Sequence, residues 1–587
     1  MDYDRTRKDS ARSLRIRVET LDAEVTRVRS QSVWCFGSSC PWNKGSPLLL
    51  IQAQIMRYKN MLLVDAAMRR IFRLIPTLMA AGFLLAARAQ NVPIPDPGLD
   101  SAIRVTLAKP TGPLTIQDLL TLTNLNASNR TITNLTGLEF ATNLLSLNLQ
   151  NNLLSKPAFP TNLTRLKSLN LSQNRIGTFS LPSNLTSLVF FDLSFNGLTN
   201  VSLPNGLTNL IQLIIQGNNF LTSITLPQGL TALAQLDLNQ NLLGQITLPA
   251  GMGSLTNLIL SNNQLFLSSL TLPAGMTNLT SLLLDHNHLS SLTLPPDMTK
   301  LAVVDLFGNE VSNLTIPGSL TALTDLRLAI NRLDSLTLPA GLTNLASLDL
   351  FENILTNNFI LPPGLIALTN LDVGVNPLTS FALPADATNL VTLSFFFNQL
   401  TNLSLPRGMA RLKMLGLAGG KLTTLNLPAG LSSLTSLNLA NNQLTNLTLP
   451  SDLQQLSGIS LDGNPLTTFV LSGPLALGNL SATVATLRNQ GVSVFIYPLT
   501  VQLFRPQQLT GAFLFGITGP PDVYTILQSD DLASWSVLGA ATNFLGSISF
   551  VDVTAQLSPQ KFYRAIQQSA SANIVLIAPN SSDQLRP

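Results

Sequence analysis

The chain is nearly without histidine and cysteine. Its only imidazoles are His286 and His288, and its only thiols are Cys35 and Cys40. Two neighbouring histidines leave few routes to acid–base or triad catalysis. With no cysteine after residue 40, the rest of the chain has neither disulfides nor Cys-based zinc sites. Charge is scarce too, at 11% of residues against 45% hydrophobic, a balance that excludes a disordered body. The formal net charge of +4 is unevenly placed. Residues 1–89 hold 15 Lys and Arg against 7 Asp and Glu, whereas residues 90–587 hold 19 against 23. The body is therefore mildly acidic, which removes the electrostatic argument for a nucleic-acid partner.

Long apolar runs are also missing. From Met68 the chain reads MRRIFRLIPTLMAAGFLLAARAQ, with Arg69, Arg70 and Arg73 ahead of an apolar stretch of 13 residues, Leu74 to Ala86. Spanning a bilayer takes about 20 apolar residues. A basic start, a short apolar stretch and the small residues of Ala87-Arg88-Ala89 instead predict a signal peptide over 68–89, cleaved before Gln90. Translation is expected to start at Met68, with residues 1–67 a doubtful, disordered extension. The mature chain is expected to be secreted or cell-surface, without a membrane span.

What is present in abundance is a repeat. The pattern L-x-x-L-x-L-x-x-N-x-L recurs sixteen times, with its anchor at 130, 152, 174, 196, 218, 241, 263, 287, 309, 331, 353, 376, 398, 420, 442 and 464. Twelve of the spacings are 22 residues, and every anchor is Asn except Arg130 and Gly420. In one unit Leu437 and Leu439 flank a polar residue, the alternation of a short strand with one buried face. A single such strand cannot bury its own leucines, so each unit needs stacked neighbours. The anchor amide has both donors and acceptor, suited to backbone groups that stacking removes from water. The Leu-x-Leu-Pro segment that follows is expected on the opposite side, where proline blocks further pairing.

These units resemble the leucine-rich repeat family over about two thirds of the chain. The resemblance implies a mainly β repeat solenoid, a horseshoe of about 16 repeats (122–480) with a parallel inner sheet. At ~4.8 Å per strand its inner arc is on the order of 70 Å. Pro97 to Ala108 and Thr115 to Leu120 read as two short helices of an N-terminal cap (90–121), similar to caps of bacterial cell-surface leucine-rich repeat proteins. Ala482 to Asn489 and Val492 to Tyr497 read as a helix and closing strand of a C-terminal cap (481–498). Residues 499–566 carry short β-type runs, Tyr524–Leu527, Trp535–Leu538 and Ser547–Phe550, which predict a small all-β sandwich-like domain. Its YTILQSDDLASW and KFYRAI segments resemble a module of Verrucomicrobia-type secreted proteins. Residues 567–587 read as a loose tail.

Candidate binding residues follow from the register. Residues four before each anchor lie between buried leucines and face the concave surface; among them are Asp305, Arg327, Asp349 and Asp372. Two before the anchor stand Phe307, Phe351 and Phe396, and one before it Ile330, Glu352, Val375 and Phe397. Aromatic groups within a charged rim are what binding hot spots favour. The competing structural reading has these phenylalanines packing on one another along the ladder. His286 and His288 read as a solvated loop, because a third strong metal ligand is missing.

The expected function is a scaffold that binds a protein or glycan through its concave face, as a monomer, without cofactor, metal or catalytic residues. An extracellular matrix component without a discrete ligand is the alternative. A hydrolase on the C-terminal module is disfavoured, because that module has no histidine and its Asp530 and Asp531 are adjacent in a turn. The lack of cysteine after residue 40 argues against a host-directed effector with a cysteine ligase domain.

Overall fold

The computed structural model describes residues 90–263, 270–555 and 560–568. The expected extension (1–67), the expected signal peptide (68–89) and all but the start of the expected tail lie outside the described residues.

Each repeat places one three-residue strand, with a buried apolar side chain between two that face outward, as in Ser436–Asn438 around Leu437. Sixteen such strands, from Asn124–Asn126 to Gly458–Ser460, form one parallel sheet in sequence order. The register keeps equivalent positions level: Leu415 pairs with Leu437, and Gly416 with Asn438. Stacked leucines behind this sheet merge into a single core running from the N-terminal cap to the C-terminal cap. Burying each of them contributes about 1.5–3 kcal/mol, which no isolated unit recovers.

The Asn anchors tie consecutive coils together. Asn152 Nδ2 donates to Leu149 O at 2.8 Å within its own unit and to Ala127 O at 2.9 Å in the preceding one. Its Oδ1 accepts from Ile132 N at 2.9 Å and Arg130 N at 3.0 Å. The same pair of Nδ2 bonds recurs at Asn331 and Asn442. The two exceptions have local reasons. Arg130, in the first unit, reaches the cap through Nη1 to Ser101 Oγ at 2.9 Å. At Gly420 an added Cβ would lie 2.7 Å from Asn442 Oδ1.

The Leu-x-Leu-Pro side departs from expectation, because proline does not abolish pairing there. Thr178–Ser180 pairs with Asn200–Ser202, and Ser291–Thr293 with both Leu270–Thr271 and Asn313–Thr315, all in parallel. The paired residues precede the proline, so their N–H groups remain available.

Helix α1 (Pro97–Thr106) and helix α2 (Ile116–Leu120) form the N-terminal cap. Asp96 caps α1 through Oδ1 to Leu99 N at 3.0 Å and grips the first repeat through Oδ2 to Thr133 N at 2.8 Å. At the other end stand α3 (Gly473–Leu477) and α4 (Ser481–Asn489), followed by the strand Ser493–Tyr497 pairing with Thr468–Ser472. The C-terminal domain is two three-stranded antiparallel sheets around Phe513, Phe515, Tyr524 and Tyr563. Trp535 lies just ahead of its strand, Ser536–Asn543, and the KFYRAI segment supplies the strand Phe562–Gln567. Two further strands there, Gln502–Leu509 and Ala512–Thr518, were not among the three predicted runs.

Candidate functional site

The concave face is the outward side of the sixteen-stranded sheet. Its chemistry is decided at three positions in each unit. The residue four before the anchor ends the strand, and where it is Asp or Asn its Oδ1 closes a turn. Asp305 accepts from Phe307 N at 3.0 Å, Asp349 from Phe351 N at 3.1 Å and Asp372 from Gly374 N at 2.8 Å. The sequence reading sets these carboxylates on the concave surface as part of a charged rim. The structure adds how deeply they sit: Asp305 is only 7% exposed, and Asp349 and Asp372 are half-buried. Burial pushes the carboxyls of Asp305 and Asp349 above the usual range despite those backbone bonds, and neighbouring carboxylates push them the same way.

Among the positions four before the anchor in units nine to thirteen, Arg327 is the one cation. It donates through Nη1 to Asp305 Oδ2 at 3.1 Å and through Nη2 to Asp325 Oδ2 at 2.7 Å. Asp325 lies six before its anchor, on the same side of the strand, a position the register makes available and the sequence reading passed over. Its burial matches that alternation.

Phe307, Phe351 and Phe396 are half-buried rather than fully exposed. They do not stack on one another in an unbroken ladder. The Phe396 ring rests over the strand of the next unit, where a Cβ on Gly416 would come within 2.5 Å of it. Phe351 leans toward Gly374, 3.1 Å from where a Cβ would stand. Phe307 meets His286, with ring centroids 5.1 Å apart. The small residue of the following unit therefore makes room for each Phe396- or Phe351-type ring.

One before the anchor, all sixteen units adopt a left-handed backbone, with φ from 51° to 75° across strand ends such as Asn151, Ile330, Val375 and Gly419. Eight units fill this place with Asn or Gly, the residues that accept it most readily. Units ten to thirteen instead use Ile330 (φ 55°), Glu352 (54°), Val375 (51°) and Phe397 (54°). Ile330 is 38% and Phe397 65% exposed. Phe195, at φ 52° and also exposed, occupies the same place in unit four and escaped the sequence reading. The Asn and Gly column one before the anchor was the signal that would have found it.

The histidines lie beside this region. His286 Nδ1 contacts Asp285 Oδ2 at 3.0 Å, and His288 Nδ1 contacts Glu310 Oε1 at 2.8 Å. Among the described residues no group of three His, Cys, Asp or Glu is placed to hold a metal ion. Among them, too, no helix is long and apolar enough to cross a membrane.

A model of the BspA-type leucine-rich repeat region matches residues 146–266, 262–370 and 374–478. The chain belongs to the BspA-type leucine-rich repeat family. No curated protein sequence matches this family member. Among solved structures it is similar to YopM from Yersinia enterocolitica, at 28% identity over 64% of this chain and 78% of that one, with a TM-score of 0.46. It is similar to a leucine-rich repeat protein of Leptospira interrogans at 26% identity, over 65% and 97% of the two chains, with a TM-score of 0.45. An internalin from Listeria monocytogenes is similar at 22% identity, over 69% and 97%, with a TM-score of 0.36.

Proposed function

We propose that this repeat protein is a secreted or cell-surface scaffold that binds another protein through the concave face of units nine to thirteen. The observation that carries the reading is backbone strain. Four consecutive units hold Ile330, Glu352, Val375 and Phe397 in a left-handed conformation that Asn or Gly takes at lower cost in eight other units. Such strain, of order 1–3 kcal/mol per residue, persists where the side chain serves something beyond the fold. Here it presents apolar groups at the rim of Phe351 and Phe396. A rigid stacked frame loses little conformational freedom on binding, which favours recognition by shape. The basic and apolar segment before Gln90 supports export.

The test is capture from the native cell envelope and extracellular fraction. The intact protein is expected to retain a partner that Phe351→Ala with Phe396→Ala loses, while circular dichroism stays unchanged. Equal capture by both removes the assignment to this face. Amino-terminal sequencing of the native protein is expected to begin at Gln90.

A further inference from the structure

Units nine to twelve carry more negative charge than their turns require. The bond that closes each strand end needs only a carbonyl-type oxygen. In units one, two, three and fifteen it comes from the neutral amides of Asn126, Asn148, Asn170 and Asn438. Asp305, Asp349 and Asp372 do the same work with a carboxylate. Burial disfavours the ionised form of the first two, so the charge is not there for stability. Arg327 pairs with Asp305 and Asp325, which leaves Asp349, Glu352 and Asp372 without a cation among the described residues.

A second feature adjoins this row. Ser394 is the register partner of Asp372 on the next strand and occupies the outward position of its unit. It is 6% exposed, yet its Oγ has no hydrogen-bond partner. A buried hydroxyl without a partner is unfavourable, and a ligand group that bonds it returns that loss. The same surface holds the half-buried Phe351 and Phe396.

We infer that this face takes a basic polypeptide segment, its Lys or Arg side chains pairing with Asp349, Glu352 and Asp372 and its apolar side chains resting on Phe351 and Phe396. The inference rests on the concave-face reading above and names the partner's chemistry. Cationic groups complement the unpaired carboxylates, whereas nucleic acids and acidic glycans meet like charge. Side chains on one face of an extended segment recur every ~6.6 Å, so a segment crossing the sheet presents both kinds of group where Lys and apolar residues alternate along that one face.

The full chain is titrated with a labelled peptide of about ten residues repeating Lys-Ser-Leu-Ser, which sets Lys and Leu on one face of the extended segment and is long enough at ~3.3 Å per residue to cross five strands. A matched Glu–Leu peptide, a heparin fragment, single-stranded RNA and a neutral oligosaccharide are the comparison probes. The Lys–Leu peptide is expected to bind, to weaken with added salt, and to lose about tenfold or more in affinity for Asp349→Asn with Asp372→Asn. Because Asn closes the same turn in four other units and removes a carboxylate that burial disfavours, melting of that variant at neutral pH is expected to hold or rise, and not to fall. No binding by the intact chain, equal binding by the variant, or preference for any comparison probe overturns the inference. The two readings separate in the envelope assay. Capture lost with the Phe pair but kept with the Asp pair retains concave binding and rejects the basic partner. Capture unaffected by either pair rejects both.

Discussion

Units one to three and units nine to thirteen are built on the same coil and finish it differently. Both pair their strands in register, bury the same leucines and lock each coil to the last with an Asn amide, as Asn152 does to Ala127 O and Asn331 to Leu306 O. In the early units the strand ends in Asn126, Asn148 and Asn170, and the left-handed place holds Asn129, Asn151 and Gln173. In the later ones the first place holds Asp305, Asp349 and Asp372, and the second Ile330, Glu352, Val375 and Phe397. The backbone geometry is common to both, so the stack imposes it. Residues that suit it less well therefore mark where the face has been shaped for something other than folding.

The largest effect is expected where the two regions agree. Asn152→Ala and Asn331→Ala each strip several buried backbone groups of their partners, at about 2–4 kcal/mol. Hydrogen exchange of the adjoining units should report similar losses, and a loss confined to one region would break the idea of a shared coil. Exchanging the left-handed residues should give a smaller change of opposite signs. Val375→Asn is expected to stabilise, and Asn151→Val to destabilise, by about 1 kcal/mol each in thermal melts. Equal melting of both variants and the parent would remove the strain argument.

The smallest contrast is one of pH. Asp305 and Asp349 have raised pKa values through burial, so the folded chain takes up their protons before the unfolded chain does. Stability of units nine to eleven should therefore rise as pH falls from neutral through those raised values, levelling below the ordinary carboxyl value of 3.8. The N-terminal cap behaves oppositely. Burial opposes ionisation of Asp96, but hydrogen bonds from Thr133, Leu99 and Asn134 outweigh it and lower its pKa. Its contribution is complete above 3.8 and is lost as pH falls through the lowered folded value. Exchange protection followed against pH, corrected for intrinsic rates, should diverge between α1 and unit eleven; parallel profiles would refute the contrast.

Much of this architecture was legible before any coordinates. The Leu437-x-Leu439 alternation marks a strand because a two-residue period buries one face, and Asn442 marks its exit because few other side chains both donate and accept there. The N-terminal helices were readable from Pro97 and Thr115, and the last helix from the run ending at Asn489, whereas Gly473–Leu477 was not read as a helix. Less was legible at the site. Asp349 reads as a surface charge until Phe351 N is seen to bind it. Phe396 reads as exposed until Gly416, twenty residues on, is seen beneath it. The left-handed strain of Val375 has no trace in its own residue type.

The amino-acid sequence alone determined the period, the number of stacked coils and which side chains form the core, because those depend on spacing within one unit. Only the tertiary structure decided how buried each concave residue is, which carboxylates keep a free charge and where the backbone is strained. Those properties belong to contacts between residues about twenty-two apart, which exist only after one coil has settled on the next.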